Sequence, residues 1–285
     1  MEQMESGKQT WSDAGTDRLA AWLAERSRVT VITGAGVSTG SGIPDYRDGD
    51  GNWKRSPPVQ YRDFVEGEAV RRRYWARSFA GWPMFEAARP GAAHLALARM
   101  MQRGGVARLV TQNVDRLHQL AGSRDVIDLH GRLDVVRCLA CGGRTGRDDF
   151  QRRLREANPG RKVSRATIAP DGDADLDDAE FGSFEIPPCS VCGGVLKPDV
   201  VFYGEPVPRE TTGAALAAVE SADGVLVVGS SLMVWSSFRL VRAAVARGVE
   251  VVAVNRGRTR ADDLFAFKLE GECGAVLRRT ADGLQ

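Results

Sequence analysis

Two cysteine knuckles place the hardest constraint on how this chain can fold. Cys138-x-x-Cys141 and Cys189-x-x-Cys192 have 47 residues between them, and each is followed by two glycines, Gly142-Gly143 and Gly193-Gly194. Glycines at that position let backbone N–H groups turn toward thiolates. A pair of such knuckles reads as one closed tetrahedral Cys₄ zinc site, structural because it leaves no position open for chemistry. Two disulfides are the alternative, disfavoured for a chain whose first residues show no secretory leader. The span exceeds the roughly 15–20 residues of the simplest zinc ribbon, so a loop is inserted between the knuckles. Its acidic run, Asp171 to Asp178, lacks the twelfth-position glutamate and the flanking helices of a calcium loop, and reads as a solvated segment. Cys273 is left unpaired.

The remaining chain alternates strand and helix. Thr16 to Ser27 has apolar residues at helical spacing (Leu19, Trp22, Leu23), with Ser12 or Thr16 as cap. Val29–Thr33 is a buried strand running into Gly34-Ala-Gly36-Val-Ser-Thr-Gly40-Ser-Gly42. Strand, glycine turn and helix would open a dinucleotide-binding unit, where backbone and helix N-terminus approach a pyrophosphate. The spacing fits imperfectly, with three residues between Gly36 and Gly40 and no acidic ribose reader downstream. A hydride-transferring dehydrogenase is therefore disfavoured.

Further along, helices are expected at Ala92–Gln102, Thr211–Ser221 and Trp235–Ala246, with a short one at Glu272–Arg279. Strands are expected at Arg108–Val110, Val126–Leu129, Gly224 onward to Ser231, and Val249–Val254. This alternation predicts an α/β fold with a doubly wound parallel sheet. Residues 48–90 break the rhythm with prolines, aromatics and an arginine-rich helix, Glu68–Phe79. The expected organisation is a disordered tail over 1–12 and a Rossmann-like core over 13–47, 91–135 and 195–285. A smaller domain then combines a helical insertion (48–90) with the zinc-binding module (136–194).

In an open α/β sheet, polar groups just past the carboxyl ends of strands line the ligand crevice. Gln112, Asn113 and Asp115 leave one strand and His130 leaves the next, so the four could converge on one site. The competing reading makes His130 a buried structural histidine and Asn113 a turn former. Composition narrows the function classes. A net charge of +2 with no long basic block gives no nucleic-acid footprint, and Arg71-Arg72-Arg73 reads as a solvated helix face. No apolar stretch reaches the ~18 residues of a membrane span. The first residues lack the apolar core of a secretory signal, and Glu2, Glu5 and Asp13 argue against a transit peptide. Cations are mostly arginine, which fits a GC-rich bacterial source; the expected location is the bacterial cytoplasm.

Set in order, these motifs resemble the sirtuins, the NAD-dependent protein-lysine deacylases, over roughly Asp13 to Arg279. The resemblance is carried by Gly34-Ala-Gly36-Val-Ser, Gly42-Ile-Pro-Asp-Tyr-Arg47, Thr111-Gln-Asn-Val-Asp115, Leu129-His130-Gly131, the four cysteines, Lys197-Pro-Asp-Val-Val-Phe-Tyr-Gly-Glu205 and Gly229-Ser-Ser-Leu232. Asp45-Tyr46-Arg47, Arg73-Tyr-Trp-Ala-Arg77 and Ala169-Pro-Asp-Gly-Asp173 make it most similar to class II, the group of the mitochondrial sirtuin numbered four.

The resemblance implies NAD and one structural zinc ion as cofactors. Gly34, Ala35 and Gly36 would face the NAD phosphates, under a covering loop with Asp45, Tyr46 and Arg47. Gly229, Ser230 and Ser231 would meet the phosphate and ribose side, and Asn255, Arg256, Gly257 and Cys273 the adenosine. Gln112 would bind the nicotinamide ribose, and Asn113 and Asp115 the carboxamide. The acyl-lysine carbonyl would attack the ribose as nicotinamide leaves, with His130 then acting as general base on a ribose hydroxyl. Products would be free lysine, nicotinamide and O-acyl-ADP-ribose. The substrate peptide would add as a strand beside Val200, Val201, Phe202 and Tyr203 and near Ser231 to Val234.

Tyr74 and Arg77 share a helix face, and in desuccinylating sirtuins such a pair binds an acyl carboxylate; the alternative is ordinary packing and surface roles. The implied partner is an acylated lysine of a protein substrate, met by a monomer. Mono-ADP-ribosyltransfer at the same NAD site is the alternative activity, and a non-catalytic NAD- and zinc-binding module the alternative class.

Overall fold

The computed structural model describes residues 12–54, 58–161 and 182–284. The expected N-terminal tail (all but Ser12), the acidic run 171–178 and the motif at 169–173 lie outside the described residues. Six parallel strands form one sheet in the order β3 (Val126–Asp128), β2 (Arg108–Thr111), β1 (Val29–Thr33), β7 (Gly224–Val228), β8 (Val251–Asn255), β9 (Phe267–Glu270). Chain order reverses between β1 and β7, which makes that junction the topological switch point of a doubly wound sheet.

The central strands β1, β7 and β8 are buried, largely apolar runs because both faces are covered. One face places Val29, Val31, Leu226, Val228, Val252 and Val254 against α1 (Asp13–Ala24), α4 (Ala92–Gln102) and α9 (Cys273–Gly283). The other places Ile32, Val110, Val225, Val227 and Ala253 against α7 (Arg209–Glu220) and α8 (Trp235–Ala246). Thr30, on this second face, satisfies its buried hydroxyl by donating to Ala218 O at 2.8 Å. Ser12 caps α1, its Oγ accepting from Gly15 N at 3.2 Å.

A second core holds the inserted segments. α2 (Tyr61–Glu66), α3 (Glu68–Ala87) and α6 (Arg147–Ala157) pack with an antiparallel sheet ordered β5 (Arg144–Gly146), β4 (Gly131–Cys138), β6 (Leu196–Val200). Its centre is aromatic: Trp75 and Phe150, both fully buried, meet edge-on with centroids 4.7 Å apart. Arg147 is 1% exposed, bonds Gln151 Oε1 and Ser78, and lies beneath Trp82. Burial lowers its pKa to about 10. β4 crosses the expected domain boundary at 135/136, and β6, expected in the core segment 195–285, pairs with it in the second sheet.

Several elements depart from expectation, among them an unexpected sixth strand, β9. The helix expected at Glu68–Phe79 runs on to Ala87 through Pro83, held by the stacked, buried Trp82 and Phe85. The closing helix starts at Cys273 with Glu272 as cap, not at Glu272. No α-helix follows the glycine turn after β1; two 3-10 turns, Ala35–Val37 and Thr39–Ser41, stand there, ending at Gly42 with φ +82°. The expected helix N-terminus at a pyrophosphate is therefore absent, and bare turn backbone takes its place.

Candidate active site

A cavity of about 1070 Å³ opens at the switch point. Its floor depends on glycine. A Cβ on Gly34 would stand 2.8 Å from Gly229 O, and one on Gly36 2.8 Å from Gly229 Cα. The loops leaving β1 and β7 thus touch backbone to backbone, and Gly36 N donates to Gly229 O at 2.9 Å. Gly229 has φ +60°, a conformation in which glycine avoids the strain of a side chain. Such a side-chain-free cradle suits a phosphate-bearing ligand.

His130 is pinned by three segments. Its carbonyl accepts from Val201 N at 2.8 Å, its Nδ1 faces Gln112 O at 3.2 Å, and its Nε2 lies 2.7 Å from Ser236 Oγ on α8. Gly131 makes the tight departure possible, since with φ +81° its Cβ would clash with Asp199 O. Burial lowers the imidazole pKa to about 4, opposed by the Gln112 carbonyl. The ring is neutral near pH 7, with its proton on Nδ1 and a lone pair on Nε2 facing the cavity.

Asn113 and Asp115 converge on one hydroxyl: Asn113 Nδ2 donates to Ser38 Oγ at 3.0 Å, and Ser38 donates to Asp115 Oδ2 at 2.6 Å. Behind them, His94 and His118, 0% and 1% exposed, sit with ring centroids 4.8 Å apart. His118 Nε2 reaches Thr33 Oγ1 at 2.9 Å, and His94 Nε2 lies 3.4 Å from Ser38 Oγ. Burial holds both imidazoles below their ordinary pKa. Gln112 Nε2 donates to Ser230 Oγ at 2.7 Å, linking the ends of β2 and β7.

The covering loop is built as a small hairpin. Arg47 pairs with Trp53, its guanidinium 3.8 Å over the indole and its Nη1 donating to Gly51 O at 2.7 Å. Asp45 forms an ion pair with Lys54, and Trp53 meets both Tyr46 and Tyr203 edge-on.

Most expected site residues come together on this cavity. Gly34, Ala35 and Gly36 line it with Gly229, Ser230 and Ser231. Asp45, Tyr46 and Arg47 cover it; Gln112, Asn113, Asp115 and His130 form its inner wall. Val200, Val201, Phe202 and Tyr203 border the His130 side, and Asn255, Arg256 and Cys273 the far end. The Cys273 thiol is pushed up to about 12 by burial.

Three do not reach it. Gly257 supports the loop instead: a Cβ there would meet Gly49 O at 2.4 Å, and the neighbouring Arg258 N donates to Gly49 O. Tyr74 is 2% exposed, edge-on to Phe64, Trp75 and Phe202 in the second core, and neither it nor Arg77 lines the cavity. Tyr74 turns into that core, whereas Arg77 is half-buried. Much of the edge at Val200–Tyr203 is already engaged, with Val201 N on His130, Phe202 N on Glu205 Oε2 and Tyr203 O on Tyr61 N.

Ser38 and Ser236 were not singled out from the sequence. Ser38 sits in the glycine motif itself, but Ser236 lies 106 residues from the histidine it touches.

The four cysteines form the expected cluster. All four sulfurs lie within 4.8 Å of one another, with Cys138–Cys192 at 3.5 Å and Cys141–Cys189 at 3.8 Å. A zinc tetrahedron with Zn–S bonds of about 2.3 Å needs sulfur–sulfur edges of about 3.8 Å, so the residues fit the ion. The N–H groups of Cys141 and Ala140 hold the Cys138 thiol down to about 6, favouring the thiolate a metal requires.

Comparison with known proteins agrees with this geometry. The Sir2 family model matches residues 34–236. The NAD-dependent protein deacetylase of Bordetella bronchiseptica is 57% identical over 91% of this chain and 94% of its own length. NAD-dependent protein deacetylase 2 of Bradyrhizobium diazoefficiens is 56% identical over 91% and 95%. A Sir2 enzyme of known structure superposes with a TM-score of 0.76 at 33% identity, covering 96% of this chain and 98% of the other. A Sir2 structure with a p53 peptide and NAD+ gives a TM-score of 0.74 at 29% identity, covering 93% and 96%. The chain belongs to the Sir2 family.

Proposed function

We propose that this protein is an NAD-dependent protein-lysine deacetylase, or deacylase, that releases free lysine, nicotinamide and O-acyl-ADP-ribose. The observation carrying this reading is His130, neutral and with Nε2 turned into a glycine-floored cavity whose inner wall holds Gln112, Asn113 and Asp115. The relatives' names and the Sir2 structures with peptide and NAD+ support it.

NAD supplies a ribose carbon made electrophilic by a departing nicotinamide. The chain's residues do the rest. Gly34, Gly36 and Gly229 admit the phosphates to bare backbone, where any side chain would collide. Asn113, Asp115 and Gln112 orient the nicotinamide riboside, the first two braced by Ser38. The hairpin of Arg47 and Trp53 covers the site and excludes water. His130 is the base on which a ribose hydroxyl proton ends, at Nε2, while the Gln112 carbonyl steadies the growing positive charge through Nδ1–H. The cysteines would hold one structural zinc ion in the second core. Among the described residues no helix is long and apolar enough to cross a membrane. The same reading has the chain acting as a monomer, of class II, in the bacterial cytoplasm.

The test is nicotinamide release with an acetyl-lysine peptide, compared with His130→Ala. Loss of a proton acceptor lowers product formation by about 10²–10⁴-fold. Absence of turnover by the intact protein on acetyl-, glutaryl- and lipoyl-lysine peptides would overturn the assignment.

A further inference from the structure

Ser236 occupies the place where the proton must go. Nδ1 of His130 faces a carbonyl oxygen, which only accepts, so the ring proton resides on Nδ1 and Nε2 carries the lone pair. Ser236 Oγ lies 2.7 Å from Nε2, so its hydroxyl is the donor. An imidazole nitrogen has one in-plane lone pair, and here Ser236 fills that direction. Among the described residues His130 is the hydroxyl's one hydrogen-bond partner, while the adjacent, fully buried Ser237 tends the start of α8 by donating to Val234 O at 3.0 Å. Ser236 also lines the cavity, so a ligand hydroxyl can approach it from the open side.

We propose that Ser236 is a catalytic proton relay between the substrate hydroxyl and His130. The step balances as two coupled transfers. The substrate O–H bond breaks and its proton passes to Ser236 Oγ, while the Ser236 O–H bond breaks and that proton passes to Nε2. The result is an alkoxide on the substrate, an imidazolium on His130 and an unchanged serine. Ser236 then accepts from Nε2–H without leaving its position. This rests on the deacylase reading above.

Nicotinamide departure precedes the use of the base, so exchange of labelled nicotinamide into NAD reports the first step alone. In Ser236→Ala, exchange stays within about twofold of the wild type while O-acyl-ADP-ribose formation falls by about 10–100-fold, a smaller loss than the roughly 10²–10⁴-fold of removing the base itself. Ser236→Thr, which keeps the hydroxyl, restores product formation. A readout without NAD comes from the imidazole ¹⁵N spectrum of the free protein: the Nε2 resonance of His130 moves in Ser236→Ala and returns in Ser236→Thr. The relay is overturned by unchanged product formation in Ser236→Ala, by equal loss of exchange and product, by failure of threonine to rescue, or by an unmoved Nε2 resonance. Wild-type protein without turnover would sink the deacylase reading, whereas an active wild type with an indifferent Ser236→Ala sinks only the relay.

Discussion

Gly36 and Gly229 cross with their backbones in contact, so closely that a methyl on Gly229 would stand 2.6 Å from Val37 N and 2.8 Å from the carbonyl carbon of Gly36. Two loops from neighbouring strands are locked at the one point where the sheet changes winding direction. Gly229→Ala adds both a collision and a side chain at φ +60°. The two together cost about 2–4 kcal/mol. The midpoint of urea unfolding should fall, and NAD affinity, measured by calorimetry on the folded fraction, should fall with it. Gly40→Ala is the control, since a Cβ there meets nothing within 4 Å.

Ser38 joins Asn113 to Asp115, and its removal leaves two half-buried polar groups each short of a partner. Ser38→Ala should destabilise the fold by about 1–3 kcal/mol. It should also slow nicotinamide exchange, because both side chains lose their brace. Unchanged exchange kinetics would show that the two residues hold their positions without it.

Acid should weaken this protein through its histidines. His130, His94 and His118 all have folded pKa values below their ordinary 6.5, chiefly because burial opposes charge, with that of His130 at about 4. Above pH 6.5 the rings are neutral in both folded and unfolded chains. As pH falls below that value the unfolded chain takes up protons that the folded chain refuses, so stability declines, for His130 down to about pH 4. Fully developed, the His130 shift alone corresponds to about 3 kcal/mol, less for the solvent that reaches this half-buried ring. Denaturant titrations at pH 7, 6 and 5 should show a falling unfolding free energy, with a shallower decline in His130→Gln.

Removing zinc should dismantle the second core. Chelation, or Cys138→Ser, should release the metal, lower the thermal midpoint and abolish deacylation together. Full activity at zero zinc content, measured by elemental analysis, would disprove a structural role for the metal.

The central strands of the main sheet were readable because each is a mostly apolar run between glycine and polar punctuation, as in Val29–Thr33 and Gly224–Val228. The edge strand Phe267–Glu270, with alternating charged residues and partial exposure, gave no such signal. Helices with one apolar stripe, such as Ala92–Gln102 and Trp235–Ala246, were located to the residue. The second core was less legible. β4 is half-buried with no alternation, β6 carries Pro198, and α5 (Leu117–Leu120) is a single turn entered through Arg116 at φ 64°. Tyr74 and Arg77 share a helix face as their spacing required, but spacing does not say whether a face meets a cavity or a core. The nicotinamide-side residues were visible because they leave strand ends in sequence. Ser236 was not, because its contact with His130 closes across more than a third of the chain.

One strand, β4, begins at the residue after His130 and ends at Cys138, a span of about 26 Å. The proton acceptor and a metal ligand are therefore the two ends of a single rod. Trimming away the zinc-bearing part would remove the strand that continues from the histidine and leave the ring to its contacts with Gln112 and Ser236. A deletion or insertion of one residue between Val136 and Cys138, where β4 runs in register with β6, would turn the thiolate to the opposite face. Length in β4 is thus as strictly fixed as the identity of the residues at its tips.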